Sequence, residues 1–249
     1  MPQFSAHLGY LFGEHPFPGR IAAARKAGFA AIEHPGPYAI PAAVLRSSLE
    51  QEGLSFVQLA LPAGDARKGE KGFAASPGRT REFRDSVEVG LDYARTARAR
   101  FIHVQSGIHP IGYEPELVWD TYLTHLSWAC EKAAQADVGV LIEPIGPVTL
   151  PNYFMSRMPQ AVLAIRTLQC PNLRMLYDVF HGRSAGDDPA FPLAVRLIAR
   201  RAVQVSAGAF RTGAFLPFMP RRAPRSAFAP SVAAEGEARS GCRMNETMS

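Results

Sequence analysis

The sequence predicts an α/β protein with the (β/α)8 barrel fold, the TIM barrel, incomplete at strand 8. Short apolar runs alternate with helix-patterned segments, and this β-then-α unit occurs seven times. The strand runs are nearly continuous in apolar residues, as in a parallel sheet covered by helices. The chain has 249 residues, and about 250 residues at roughly 30 per unit are typical of one such barrel. The alternative is an open doubly wound sheet, but no G-x-G-x-x-G follows the first strand to favour a dinucleotide-binding version.

Local patterns define each element in order. Helices are indicated by apolar residues at helical spacing, such as Phe83, Val87 and Leu91, and by terminal glycines such as Gly28 and Gly53, which favour a helix end. The predicted strands are 4–8, 30–34, 55–61, 101–107, 139–145, 173–179 and 202–207. The predicted helices are 20–28, 41–53, 79–99, 114–136, 158–169 and about 190–200.

The loop at residues 62–78 is longer than the roughly two to six residues usual in α/β units. It is rich in glycine and charge. Its glycines would allow hinge motion, so one interpretation is a lid over a site. The other interpretation is a solvated insertion.

Charge and composition exclude several classes of partner. From Pro189 onward the chain has nine arginines, no lysine and three glutamates, whereas residues 1–188 carry 18 basic and 19 acidic groups. The body is therefore close to neutral, which argues against nucleic-acid binding. No apolar run approaches ~18 residues, so we expect no membrane span, and we recognise no signal peptide. Three widely spaced cysteines, Cys130, Cys170 and Cys242, indicate reduced thiols in a cytoplasmic protein.

Polar side chains stand at the ends of the predicted strands. The apolar and small residues 138–142 run directly into Glu143, and a buried carboxylate is unfavourable unless something compensates it. In a barrel, catalytic groups cluster at the carboxyl ends of the strands. These ends carry His7, Glu33, His103, Glu143, Asp178 and Gln204.

Three of these residues suggest a metal site. Glu143, Asp178 and Gln204 follow one another at about one β/α unit, so they would point at one spot from neighbouring strands. Carboxylate and amide oxygens suit Mg²⁺ or Mn²⁺ better than Zn²⁺. Such a metal would compensate Glu143 and polarise a substrate carbonyl. The alternative is a set of strand-end side chains that simply reach water.

The other strand-end residues have two interpretations each. His103 would contact a substrate oxygen, or it would hydrogen-bond to backbone at the edge of the core. Glu33 would form part of a substrate wall, or it would have a structural role only. For His7, and for His181 beyond the sixth strand, we favour a structural role.

Four segments combine into a more specific pattern. They are LPAGDARKGEKGFAASPGRTREF at 61–83, LIEPI and LPNYF within 141–154, PNLRMLYDVFH at 171–181 and VQVSA at 203–207. Together they resemble the hydroxypyruvate isomerase and 2-oxo-tetronate isomerase family of xylose isomerase-like TIM barrels. The resemblance covers residues 4 to about 207.

The resemblance implies a (β/α)8 barrel, a divalent metal and isomerisation of a small hydroxy-oxo acid through an enediol or enediolate. By this resemblance, Glu143 matches a glutamate that binds the metal and acts as acid and base. Asp178 matches a metal ligand, and Gln204 matches the ligand on strand seven. The predicted substrate-binding residues are Glu70, His103 and His181.

The chain also departs from the family pattern. His7 stands where the family has asparagine, the segment 145–147 reads Ile-Gly-Pro instead of Asn-Thr-Arg, and Ala202 replaces a histidine. The family's eighth strand ends in Gly-Cys-Glu-Tyr, and its glutamate is the second acid/base group. Here Arg243 follows Gly-Cys.

The last part of the chain has an atypical composition. Alanine, arginine, proline, glycine and serine fill 24 of the 34 positions in 208–241. We therefore predict a seven-stranded barrel at 1–207 and a poorly ordered tail at 208–249. Two explanations remain open: a reading frame shifted after about Ala207, and a true disordered tail.

The predicted function is metal-dependent aldose–ketose-type isomerisation of hydroxypyruvate to tartronate semialdehyde, or of a 2-oxo-tetronate. Loss of the strand-eight glutamate should reduce activity, because a positioned acid/base group contributes roughly 100- to 10,000-fold. The alternatives are a ketose 3-epimerase of the same superfamily and a non-catalytic ligand-binding barrel. We expect a small-molecule partner, no nucleic acid and no membrane, and homo-oligomerisation stays open.

Overall fold

Seven strands form one parallel sheet in which each strand pairs with the next along the chain. The structure, a computed structural model, describes residues 4–187 and 204–206, the last three by their backbone. This order and direction confirm the predicted barrel-type sheet. The strands are β1 (Ser5–His7), β2 (Ala31–Glu33), β3 (Ser55–Ala60), β4 (Ala99–His103), β5 (Gly139–Ile142), β6 (Leu173–Asp178) and β7 (Gln204–Ser206).

Helices connect successive strands, and five of them confirm predicted helices. The sequence patterns do not predict a sixth, α6, which begins directly after β6. The predicted helix at about 190–200 and the tail at 208–249 lie outside the described residues. The helices are α1 (Phe17–Lys26), α2 (Ala42–Glu52), α3 (Thr80–Ala97), α4 (Pro115–Gln135), α5 (Met158–Leu168) and α6 (Val179–Ser184).

The predicted end of α2 shows how glycine sets these boundaries. Gly53 has φ +64°, in the left-handed region that a side chain disfavours. There its N–H reaches the carbonyls of Leu49 and Glu50, and the Leu54 N–H also bonds to the Leu49 carbonyl, so these carbonyls at the end of the helix have partners. The chain can therefore leave α2 and enter β3 two residues later.

The core lies between the sheet and the helices on its outer side. The α3 residues predicted to share one face, Phe83, Val87 and Leu91, are all buried. On β5, the successive residues Val140, Leu141 and Ile142 are all fully buried. Because successive strand residues point to opposite faces, this strand is covered on both sides, as the apolar run predicts.

The sheet is a seven-stranded section of a barrel. Within 4–187 and 204–206, β1 pairs only with β2 and β7 pairs only with β6. The side chains at the carboxyl ends of β1 and β6 nevertheless interact, because the Asp178 charge acts on His7. In the described part of the chain, no helix is long and apolar enough to cross a bilayer.

Candidate active site at the carboxyl ends of the strands

The structure places the predicted polar residues at one edge of the sheet. His7, Glu33 and His103 are the last residues of β1, β2 and β4, and Asp178 is the last residue of β6. Glu143 directly follows β5. The pairing register sets His7 opposite Glu33. The edge therefore carries three carboxylates and two imidazoles on neighbouring parallel strands.

Glu143 is the most perturbed carboxyl group of this edge. Its side chain is 13% exposed. Burial, together with the negative charges of Asp178 and Glu33, raises the pKa of Glu143 to about 8. A group with such a pKa exchanges protons near neutral pH, as an acid/base catalyst must.

Asp178 is held by the start of α6. Its carboxylate accepts hydrogen bonds from the backbone N–H groups of Phe180, at 2.7 Å, and His181, at 3.3 Å. This is a helix N-cap, in which a side-chain oxygen satisfies N–H groups of the first turn. The cap fixes the buried Asp178 carboxylate at the strand end and brings His181 beside it.

Glu143, Asp178 and His181 form a cluster that fits a metal ion. One ligand atom from each residue lies within 4.8 Å of the others. Two carboxylates and one imidazole are ordinary ligands of divalent metals, and the mutual repulsion of the two acids is what a cation would relieve. The residues present therefore fit a divalent cation.

The environment of His181 suits this arrangement. Its Nδ1 lies 3.2 Å from Thr149 Oγ1 in the loop after β5, a contact that orients the ring. Burial lowers the pKa of His181, against the opposing charge of Asp178. The neutral imidazole that results is the form that binds metals. The sequence favoured a structural role for His181 and also predicted substrate binding, and the substrate-binding role stays a prediction.

Gln204 is located by its backbone only. It is the first residue of β7 and pairs with Leu176, two residues before Asp178, while Ser206 pairs with Asp178 itself. The predicted strand 202–207 is thus confirmed in its central part. The role of Gln204 as a metal ligand stays a prediction.

A second polar pair lies beside the carboxylate cluster. Gln58 Nε2 donates a hydrogen bond of 2.8 Å to Glu33 Oε2, and both side chains are buried. Burial raises the pKa of Glu33, Gln58 partly opposes this effect, and Asp178 adds to it. Gln58 was not identified from the sequence, although a glutamine inside the apolar run of β3 was a usable signal.

Two histidines complete the edge. His103 is 7% exposed, and its Nε2 lies 3.7 Å from Glu143 Oε2, too far for a hydrogen bond. Burial lowers the pKa of His103 to about 4, so the ring is neutral. In the described part of the chain, neither His103 Nε2 nor His7 Nδ1 has a hydrogen-bond partner, although both atoms are buried. Buried polar atoms of this kind suit contact with a ligand.

Glu70, predicted to bind substrate, is engaged within its own loop. One oxygen accepts a 2.7 Å hydrogen bond from the backbone N–H of Asp65, and the other pairs with Arg79 at 2.8 Å. These contacts hold the loop that connects β3 and α3. Substrate binding by Glu70 stays a prediction, and the contacts show a structural role.

The loop 62–78 is anchored along part of its length. Phe73, Ala74 and Ala75 are buried, and the Ala75 N–H bonds to the carbonyl of Ser106 in the loop after β4. His125 on α4 contacts the carbonyl oxygen of Ala74 at 2.9 Å. This part of the loop forms a packed wall, so a solvated insertion does not describe it, and the lid stays a prediction.

The loops after β4 and β5 are joined above the sheet. The Tyr153 hydroxyl accepts a hydrogen bond from the Ser106 N–H, and Ser106 Oγ accepts one from the Met155 N–H. An isolated antiparallel bridge links Ile108 with Tyr153. These contacts shield the side of the site that carries His103 and Glu143.

A parallel β/α barrel with buried carboxylates and imidazoles at the carboxyl ends of its strands has the site architecture of barrel enzymes. The family described as xylose isomerase-like TIM barrel matches residues 21–225. The chain belongs to this family, in the group that includes hydroxypyruvate isomerases and 2-oxo-tetronate isomerases.

Curated relatives support this placement. A 2-oxo-tetronate isomerase of Cupriavidus necator is 36% identical over 193 residues, 78% of this chain and 74% of the relative. A hydroxypyruvate isomerase of Escherichia coli is 35% identical over 181 residues, 73% and 70% of the two chains. A putative hydroxypyruvate isomerase of Homo sapiens is 36% identical over 185 residues, which are 72% of this chain and 67% of the relative.

Solved structures agree on the fold. A Brucella melitensis protein described as a family 2 AP endonuclease is 33% identical, with a TM-score of 0.77 over 83% of this chain and 80% of the other. D-psicose 3-epimerase of Clostridium cellulolyticum has a TM-score of 0.63 at 14% identity, over 78% and 69% of the two chains. At that identity the likeness shows the fold alone.

Proposed function

We propose that the chain is a metal-dependent isomerase of a small hydroxy-oxo acid. The substrate is hydroxypyruvate, converted to tartronate semialdehyde, or a 2-oxo-tetronate. The observation that carries the proposal is the cluster of Glu143, Asp178 and His181, in which one ligand atom of each residue lies within 4.8 Å of the others. The names of the relatives, at 31–36% identity, supply the substrate class.

Glu143 acts as the acid/base group. It takes the proton from the carbon next to the substrate carbonyl, and a proton then returns at the adjacent carbon. The neighbouring carboxylates Asp178 and Glu33 favour this step, because their charges raise the proton affinity of Glu143. His103, neutral and 3.7 Å from Glu143, donates a hydrogen bond to a substrate oxygen.

A divalent cation, Mg²⁺ or Mn²⁺, would supply Lewis-acid polarisation of the substrate carbonyl when bound. Glu143, Asp178 and His181 would hold it, with Gln204 as a further ligand. The predicted ligands were Glu143, Asp178 and Gln204. We add His181 because it lies in the same cluster as Glu143 and Asp178. The walls formed by loop 62–78 and by the loops after β4 and β5 limit access of water to the reacting atoms.

The strand-eight glutamate of the family has no match in this sequence, where Arg243 stands instead. We infer that the first proton transfer, by Glu143, proceeds faster than complete isomerisation. Loss of one positioned acid/base group should lower net turnover by roughly 100- to 10,000-fold.

Deuterium exchange separates these two steps. The purified chain is incubated with hydroxypyruvate and Mn²⁺ or Mg²⁺ in D₂O. Mass spectrometry then follows deuterium at carbon 3, and an aldehyde-specific assay follows tartronate semialdehyde. Exchange above the rate without protein, together with slow product formation, supports the proposal. Glu143→Gln should abolish the exchange, and Glu88→Gln, at an exposed position on α3, should keep it.

Three outcomes would contradict parts of the proposal. Full turnover at ordinary enzymatic rates, abolished by Glu143→Gln, would refute the impaired activity. Exchange on a ketose but not on hydroxypyruvate would indicate the epimerase alternative. Metal and hydroxy acid binding in calorimetry without any exchange would indicate a ligand-binding barrel.

A further inference from the structure

Two of the three cysteines are neighbours in the fold. Cys130 lies in the last two turns of α4, and Cys170 lies in the turn between α5 and β6. Both carry thiols, the Cys170 thiol acts electrostatically on the Cys130 thiol, and Asn172, two residues after Cys170, hydrogen-bonds to Cys130. The sequence separates them by about 40 positions, so their proximity is a property of the fold.

Hydrogen bonds hold the turn that contains Cys170 against α4. Asn172 Nδ2 donates to the carbonyl oxygen of Cys130 at 2.8 Å. The Asn172 carbonyl in turn accepts a 2.9 Å hydrogen bond from the N–H of Val140 on β5. The hydrogen bonds of Asn172, two residues after Cys170, therefore hold the turn that contains Cys170 against Cys130.

The two thiols differ in their access to solvent. Cys130 is 2% exposed, whereas Cys170 is half-buried. A small oxidant can therefore reach Cys170 first, with Cys130 behind it. The pair also lies at the amino end of β6, and Asp178 is at the opposite end of that strand. In barrels, this amino-terminal face is associated with stability and the other face with catalysis.

We propose that Cys130 and Cys170 form a reversible dithiol–disulfide pair that a small-molecule disulfide, such as glutathione disulfide, oxidises. The Cys170 thiolate attacks one sulfur of the small disulfide, forms a mixed disulfide and releases one small thiol. The Cys130 thiolate then attacks the Cys170 sulfur and expels the second small thiol. Two protein thiols are oxidised to a disulfide, and one small disulfide is reduced to two small thiols, which take up the two protons that the protein thiols lose.

The second step is the slower one. Burial raises the pKa of the Cys130 thiol, and the neighbouring Cys170 thiol raises it further. A smaller thiolate fraction slows attack on the mixed disulfide. The mixed disulfide on Cys170 should therefore accumulate first and then decay as the protein disulfide forms.

Closing the pair should stabilise the fold and leave the site unchanged. The disulfide would close a loop of about 40 residues, which by chain-entropy reasoning raises Tm by roughly 5 °C or more in a domain of this size. Metal binding and substrate exchange should not change, because they depend on residues at the other edge of the sheet.

Peptide mapping of the full chain tests the proposal. The folded protein is incubated with glutathione disulfide, remaining thiols are alkylated, and tryptic peptides are analysed without reduction. The expected product joins peptide 101–132, which contains Cys130, to peptide 167–174, which contains Cys170. Dithiothreitol should reverse it. Cys170→Ser should lose both the cross-link and the rise in Tm, while Cys242→Ser should keep both.

Three results would overturn the proposal. One is a mixed disulfide on Cys170 that persists while Cys130 stays a thiol in the folded protein. Another is a cross-link that involves Cys242 in preference to the pair. The third is a cross-link between Cys130 and Cys170 that forms equally well in urea, because its formation would then not depend on the folded structure.

Discussion

Replacing Glu143 by glutamine should stabilise the metal-free protein at neutral pH. Burial and the negative neighbours raise the pKa of Glu143 from 4.5 to about 8. A carboxyl group with a raised pKa stabilises the fold fully below pH 4.5, and this contribution is lost as the pH rises through the folded pKa near 8. Glutamine cannot ionise, so the variant does not lose stability at this position as the pH rises.

The size of the effect follows from the pKa shift. One pKa unit corresponds to about 1.4 kcal/mol. Between pH 4.5 and pH 7 the free energy of unfolding of the wild type should therefore fall by about 3 kcal/mol relative to Glu143→Gln. Above pH 8 the difference should level off at about 5 kcal/mol. Glu33 also has a raised pKa and is coupled to Glu143, so only the part of its contribution that is independent of the Glu143 charge cancels.

Urea unfolding with a chelator, at pH 5, 6, 7 and 8, measures this difference. The exposed Glu88→Gln provides the matched carboxylate-to-amide control. A constant difference between Glu143→Gln and wild type across this range would refute the reasoning. So would a variant that is less stable than the wild type at pH 8.

Adding Mn²⁺ should narrow the difference in stability between the two proteins at pH 7. Binding to the folded state alone stabilises by about 2.7 kcal/mol at a hundredfold excess over Kd. The wild type should gain this stabilisation, whereas Glu143→Gln, which lacks one ligand, should gain less. If both proteins gain equally, Glu143 does not contribute to the metal site.

Three further changes test the framework around the site. Tyr153→Phe removes the acceptor of the buried Ser106 N–H and should lower the free energy of unfolding by about 1–3 kcal/mol; an unchanged urea midpoint would contradict this. A Cβ at Gly139 would overlap the Phe101 ring, so Gly139→Ala should destabilise by about 1–3 kcal/mol, again measured by urea. His125→Leu removes the contact with the Ala74 carbonyl in the loop 62–78 and the contact with Thr80 at the start of α3, and should speed tryptic cleavage of the loop; an unchanged rate would show that these contacts do not hold the loop.

Much of the fold could be predicted because the apolar runs are strong and regularly spaced. The predicted elements are wrong where contacts between distant segments set the bounds of a strand or helix. The predicted strand 101–107 ends in the structure at His103, because the following residues bond to the loops around them, as Ser106 does to Tyr153. Helix α6 has only six residues, too few to show a helical repeat.

From the sequence, only the site residues that stand at the ends of predicted strands could be identified. The carboxylates Glu143 and Asp178 stand out because each ends an apolar run. His181 could not be placed with them from spacing alone, since its position depends on the Asp178 cap that starts α6. The Glu33–Gln58 hydrogen bond likewise depends on the register of β2 and β3, which the sequence does not specify.

The position of Glu143 at the end of an apolar run has a physical explanation in β5 itself. Ionising this carboxylate in its buried place destabilises the metal-free fold by about 5 kcal/mol at high pH. The three residues before it, 140–142, are fully buried, and each contributes about 1.5–3 kcal/mol through burial of its side chain. Those contributions are of the same order as the penalty. A short, fully covered strand can therefore hold a poorly solvated acid at its end, where the neighbouring acids keep its affinity for a proton or a cation high.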